Sequence, residues 1–143
     1  MNHYTLLIPV LAMVLLTAIV VRAMYARRVD EIKSRRIDPQ SLAAARDMAD
    51  KLANTSAADN YRNLFEAPVL FYVAMLAGVA MHAATVWLLA LAWIYVVLRY
   101  VHSYIHCTYN NVMHRFAVFG MSMFVLVVIW GMLAWRIIEL ARQ

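Results

Sequence analysis

The sequence predicts an all-α membrane protein in which four transmembrane helices form one bundle. Of its 143 residues, 65% are hydrophobic and only 15% are charged, and the mean hydropathy is +0.66. That composition is typical of a small polytopic membrane protein and leaves no room for a sizeable soluble domain. Four apolar stretches of about 16 to 20 residues each approach the ~20 residues that cross a bilayer as a helix. They are Tyr4–Val21, Leu64–Met81, Ala83–Leu98 and Phe116–Trp135.

The basic residues predict how these helices are oriented. Nine of the 13 Lys and Arg residues lie between Arg22 and Arg62, and such residues concentrate in cytoplasmic loops. We therefore expect a cytoplasmic first loop and both termini outside. No basic residue precedes the first apolar run, so it does not resemble a cleaved signal peptide. Anionic lipid head groups account for the net charge of +5, and no nucleic acid is expected as a partner.

A single domain over residues 1–143 follows from this pattern, with each element placed by its flanking residues. Pro39 forces Asp38 out of helix and marks a turn in the polar loop. The apolar positions of Ser41–Leu52 have a helical period suited to the membrane surface. Ser56, with Asp59 three residues later, resembles a capping box that opens the second membrane helix. The expected helices cover about 4–28, 57–81, 83–109 and 112–140, and the expected loop covers about 29–56.

Glu66 is the most informative residue, because a carboxylate inside a hydrophobic span usually marks a site. On a helix starting near Ser56, Arg62, Asn63 and Glu66 share a polar stripe with Asp59. Pro68 cannot donate to the carbonyl of Leu64, so either that carbonyl is free for another donor or a kink develops. A structural ion pair between Glu66 and an arginine of a neighbouring helix is the alternative.

The third and fourth helices add basic residues at the same depth. Arg99, His102 and His106 lie at i, i+3 and i+7 on one helix face, and Arg115 opens the last helix. Together with the Arg62–Glu66 segment they form a basic pocket suited to a small, flexible anion. Taken singly, the arginines are also compatible with snorkelling to the interface, and the histidines with hydrogen bonding inside the bundle. Two histidines without a third ligand do not predict a metal site.

These motifs resemble the MAPEG superfamily, the membrane-associated proteins in eicosanoid and glutathione metabolism. The resemblance covers the whole chain in length, helix number and polar first loop, and its specific motifs occupy residues 60–72 and 99–115. The segments 63–72, 102–106 and 111–115 look most like the uncharacterised bacterial branch of the superfamily. The resemblance implies a homotrimer, and the bacterial branch implies the bacterial inner membrane.

In the enzymes of this superfamily, glutathione binds between adjacent subunits near the cytoplasmic face. By position, Arg62, Asn63 and Glu66 would contact the glutathione peptide, and Arg115 would hold the thiol as thiolate. His106 falls where characterised enzymes have a tyrosine, and an arginine at the end of the first helix usually joins the site. The expected glutathione-binding residues are therefore Arg27, Arg28, Arg62, Asn63, Glu66, Arg99, His102 and His106, with Arg115 as the catalytic residue.

The function expected from this resemblance is glutathione-dependent catalysis. The reaction would be glutathione transfer to a lipophilic electrophile or reduction of a lipid hydroperoxide, in contact with membrane lipids. The alternative is a non-catalytic member that binds a lipid or another small anion. Asp59 and His106 depart from the enzyme pattern and favour that alternative. A channel or transporter fits poorly, because no helix has a broken, Gly-rich centre and the polar groups cluster at one end.

Overall fold

The computed structural model describes residues 2–44, 46, 48, 52 and 55–142. Within them, four helical segments are long and apolar enough to cross a membrane, which confirms the predicted fold class. Two 3₁₀ turns cover His3–Leu6 and Pro39–Leu42. The α-helices are α1 (Leu7–Arg35), α2 (Ser56–Asn63), α3 (Ala67–Ala80), α4 (Val86–Cys107) and α5 (Val112–Ala141).

Helix α1 is longer than the hydropathy pattern predicts. It continues past residue 28 to Arg35, and the C-cap residue Arg36 adopts a left-handed conformation with φ of 50°. Its 29 residues span about 44 Å, more than the ~30 Å hydrocarbon core. The polar extension is rich in helix formers, and Arg35 Nη1 lies 2.7 Å from the Oε1 atom of Glu31 one turn earlier. Part of the predicted loop is therefore a helical extension of the first span.

The second membrane segment is broken at the position where Pro68 allows a kink. Helix α2 ends at Asn63, and α3 begins at Ala67 with Pro68 in its first turn. Thr55 occupies the N-cap position of α2 and donates its hydroxyl to Asp59 at 3.0 Å. The capping box based on Ser56 is thus wrong, since Ser56 is already the first helical residue.

The predicted surface helix over Ser41–Leu52 lies partly outside the described residues. Ala45, one of its apolar positions, is among those not described. Leu42 and Leu52 are both buried, at 8% exposure each.

The core of the bundle is a continuous apolar cluster to which all four membrane segments contribute. Its centre includes the stacked rings of Phe71 and Tyr95, whose centroids are 4.5 Å apart. Large apolar side chains such as Leu11, Trp87 and Phe124 remain 65–73% exposed on the outer surface. An outer surface this apolar is suited to contact with lipid or with other membrane helices rather than with water.

The two ends of the bundle differ in polarity. We call the end that holds the loop between α1 and α2 and the turn between α4 and α5 the loop end. At this turn Asn110 adopts φ of 48°, and the Asn111 side chain accepts from the backbone N–H groups of Met113 and His114. The other end, which holds the α3–α4 turn and the C-terminal part of α5, is the opposite end. There the Thr85 hydroxyl accepts from Leu88 N and caps α4.

Candidate functional site

A cavity of about 210 Å³ opens at the loop end between the α2–α3 break, α4 and the start of α5. Three of the residues predicted from the sequence, Asn63, His102 and Arg115, line it together. Side chains that the motifs did not highlight supply its apolar wall. These are Val112, Phe116 and Phe119.

Arg115 lies in the first turn of α5 and is held by the turn that precedes it. Its Nη1 donates to Asn110 Oδ1 at 2.7 Å. The left-handed backbone of Asn110 is a conformation that asparagine tolerates better than most residues. A guanidinium carries five N–H donors, so the bond to Asn110 orients Arg115 and leaves other donors for a ligand in the cavity.

Arg99 is the most deeply buried charged group at this end, with 1% of its surface exposed. Its Nη2 donates to the backbone carbonyl of Asn63 at 2.9 Å, and its guanidinium carbon lies 5.6 Å from the centre of the Phe119 ring. Its Nε and Nη1 have no hydrogen-bond partner among the described residues. Glu66 is close enough to act on Arg99 electrostatically. Arg99 thus joins α4 to the cavity wall while keeping donors unused.

His102 and His106 extend the site along α4. Both are buried, and their ring centroids lie 5.7 Å apart in an edge-to-face arrangement. His102 also lies 5.9 Å from the Phe119 ring, in the wall of the cavity. His106 lies one turn further from the cavity, and its Nδ1 atom has no partner within the described part of the chain. Of the two, only His102 reaches the cavity in this structure.

In this structure Arg27 connects three helices. Its Nη2 donates to the carbonyl of Cys107, the last residue of α4, at 2.6 Å. Its Nη1 donates to the hydroxyl of Ser56, at the start of α2, at 3.2 Å. Arg27 therefore ties α1 to α4 and α2, and it does not line the cavity. The neighbouring Arg28 is half-buried and is likewise absent from the cavity wall.

Arg62 and Glu66 lie on the protein surface beside the site. The Arg62 guanidinium lies 3.7 Å from Asp59, with side-chain exposures of 68% and 46%. Because the helix breaks after Asn63, Glu66 leaves the polar stripe expected for one continuous helix, and it is exposed in the protomer. The structure therefore brings Asn63, His102 and Arg115 together, whereas Arg62 and Glu66 are exposed and do not line the cavity.

Asn60 is a supporting residue that the motif reasoning did not single out. It is fully buried, accepts from the Ser103 hydroxyl at 3.3 Å and donates to Cys107 Sγ at 3.5 Å. It fastens α2 to α4 one turn before Asn63. Its place three residues before Asn63, on the same face of the helix, was the available signal. Half-buried Cys107 is one of its partners.

No set of three or more His, Cys, Asp or Glu side chains within the described residues is arranged to hold a metal ion. The charged groups that approach His102 on α4 and α5 are basic, namely Arg99 and Arg115. The cavity is therefore bordered by basic groups and by an apolar wall, a lining compatible with a small anion.

The fold and the site define an integral membrane protein with four membrane-spanning segments and a polar cavity at one end of the bundle. The MAPEG family model matches residues 3–135, nearly the whole chain. The chain therefore belongs to the MAPEG family, whose members act broadly in eicosanoid and glutathione metabolism. Comparison with curated proteins and with solved structures gave no match.

Proposed function

We propose that this protein is a glutathione-dependent membrane enzyme that acts on lipophilic electrophiles or hydroperoxides. The observation that carries the proposal is the cavity in which Asn63, His102 and Arg115 meet beside Phe116 and Phe119. A transferase or peroxidase of this kind needs a cation at the sulfur and an apolar surface for the second substrate. Both features border this one cavity.

Arg115 is the residue proposed to act on the thiol. A free thiol with a pKa of about 8.5 is only about 3% thiolate at pH 7, and the thiolate is the nucleophile. A guanidinium beside the sulfur favours the charged form and lowers that pKa. In a transfer reaction the thiolate sulfur attacks the electrophilic carbon and the leaving group departs with the bonding electrons. The aromatic wall of Phe116 and Phe119 would hold the lipophilic partner against the sulfur.

The size of the cavity supports a site shared between subunits. About 210 Å³ lies below the range of about 300–1,000 Å³ typical of small-molecule pockets, which is compatible with a second subunit completing the site. The exposed Arg62 and Glu66, which lie outside the cavity lining, would then contact the remainder of the ligand, with Glu66 facing its ammonium group. We propose a homotrimer in which a neighbouring subunit closes each site, with surrounding membrane lipids as the source of the lipophilic substrate.

The charges around the cavity match the charges of glutathione. The ligand carries two carboxylates and one ammonium group, and the site offers several arginines together with Glu66, while the second nearby carboxylate, Asp59, lies 3.7 Å from Arg62. Guanidinium groups bind carboxylates through paired, charge-assisted hydrogen bonds. Arg99 has two N–H-bearing atoms without partners among the described residues, which makes it a second candidate donor beside Arg115.

Calorimetric titration of the purified protein with glutathione tests the proposal, together with thiolate absorbance at the ultraviolet edge. We expect the wild type to bind glutathione and to show the thiolate signal. Glu66→Gln should weaken binding while keeping the signal from the bound fraction, because it removes the partner of the ammonium group. Absence of binding would refute the glutathione assignment. Binding without thiolate in folded wild type would refute catalysis and leave a binding protein.

A further inference from the structure

A second cavity, of about 610 Å³, lies at the opposite end of the bundle, away from the candidate glutathione site. The α3–α4 turn and the C-terminal part of α5 form its walls. At this size it falls within the range of small-molecule pockets and is larger than the cavity beside Arg115. The proposed glutathione chemistry does not use it.

The rim of this cavity carries fixed charges of both signs. Arg136 Nη1 lies 3.1 Å from Glu139 Oε2, and Trp135 Nε1 donates to Glu139 Oε1 at 2.9 Å. The two charged side chains stay 40% and 45% exposed, so each can accept a further partner. His82, held at φ of 50° in the turn, completes the polar side, and its ring packs 4.5 Å from that of His3.

The floor of the cavity is apolar and is open at one particular position. Leu88, Met132 and Leu133 line it. Gly131, on the α5 wall, has no side chain, and no atom lies within 4 Å of the place a Cβ would occupy. The missing side chain leaves a gap beside the apolar floor that suits a hydrocarbon chain.

We infer that this cavity binds an aminophospholipid, a lipid whose head group carries both a phosphate and a primary ammonium. Arg136 and His82 would contact the phosphate, Glu139 would accept from the ammonium, and an acyl chain would lie on Leu88 beside Gly131. The opposite charges 3.1 Å apart match a head group with both charges and disfavour a purely anionic lipid. The cavity lining includes Trp135, which is 65% exposed, so the cavity is open to the apolar outer surface from which an acyl chain would enter.

The test compares lipids added back to the delipidated, folded protein. Thermal unfolding and native mass spectrometry are measured with phosphatidylethanolamine, phosphatidylcholine and phosphatidylglycerol. We expect the wild type to bind phosphatidylethanolamine about fivefold more tightly than each of the other two lipids. A factor of that size corresponds to about 1 kcal/mol, which is what one exposed charge pair contributes at most. Glu139→Gln should remove the preference for phosphatidylethanolamine and increase the relative affinity for phosphatidylglycerol. Arg136→Gln should weaken the binding of all three lipids. Arg142→Gln, which removes a charge from the same end of the helix, should leave their binding unchanged.

Two glycines of α5 provide a matched pair for the acyl chain. Gly131→Leu should fill the gap and reduce retention of every lipid. Gly120→Leu makes the same change where the space is equally open but away from the cavity, so it should leave retention unchanged. Equal binding of the three lipids by the wild type, or a preference that survives Glu139→Gln and Gly131→Leu, would overturn the inference. Glutathione titration of the same variants should be unaffected, which keeps this test separate from that of the proposed function.

Discussion

Replacing Arg115 by leucine is the most direct perturbation of the proposed chemistry. A unit charge about 4 Å from the sulfur contributes about 4 kcal/mol at an effective dielectric constant of about 20. Arg115 is half-buried and already bonded to Asn110, so about half of that energy, or about 1.5 pKa units, is a realistic effect on the thiol. A thiol whose pKa falls from about 8.5 to about 7 is half ionised at pH 7 rather than about 3% ionised.

The expected result is a loss of about 15-fold or more in the conjugation rate at pH 7 from the thiolate fraction alone. Further loss arises if Arg115 also stabilises charge in the transition state. Glutathione affinity should stay within several-fold, because other groups hold the peptide. The sign of the pH dependence follows from the higher thiol pKa in Arg115→Leu. The rate gap should therefore narrow as the pH rises through about 8.5, where the thiol ionises without help.

The assay is the initial rate of conjugation of a chromogenic aryl halide between pH 6 and 9, with calorimetry for affinity. Arg142→Leu removes a charge from the far end of the same helix and serves as the control. Asn110→Gly keeps the left-handed backbone but removes the oxygen that orients Arg115, so it should give a partial loss. A rate loss in Arg115→Leu that is equal at pH 6 and pH 9, or that follows a loss of thermal stability, would refute the thiolate role.

Three further predictions concern assembly and structure. Arg27→Ala should lower the free energy of unfolding by about 2 kcal/mol, because the charge-assisted hydrogen bonds to Cys107 and Ser56 are lost. Arg28→Ala should have little effect. Equal thermal midpoints for the two variants would contradict this prediction. Ser34→Cys, in a Cys107→Ser background, should resist an impermeant maleimide in intact cells, and labelling would reverse the predicted orientation. Native mass spectrometry in mild detergent should show a trimer, and a stable monomer would count against a site shared between subunits.

Much of the site could be anticipated because helical periodicity determines which side chains share a face. Asn63, His102 and Arg115 come from three helical segments, and the structure places them around one cavity. The aromatic wall was not anticipated, since Phe116 and Phe119 are indistinguishable in sequence from lipid-facing residues. The position of Glu66 was also not anticipated, because the effect of Pro68 on the register depends on how far the helix unwinds. A kink was one of two predicted outcomes, but its geometry was not predicted.

The sequence by itself determined the fold class of this protein. A bilayer admits only helices and closed barrels, so four apolar stretches of sufficient length leave few alternatives. Tertiary structure alone decided which polar side chain meets which partner. Arg27 bonds to the end of α4 80 residues away, and Arg99 bonds to a backbone carbonyl 36 residues away. Such pairings depend on the relative rotation and depth of packed helices. Local periodicity fixes which face a residue occupies but does not specify those rotations, so only the folded bundle could show that Arg27 fastens helices while Arg115 lines the cavity.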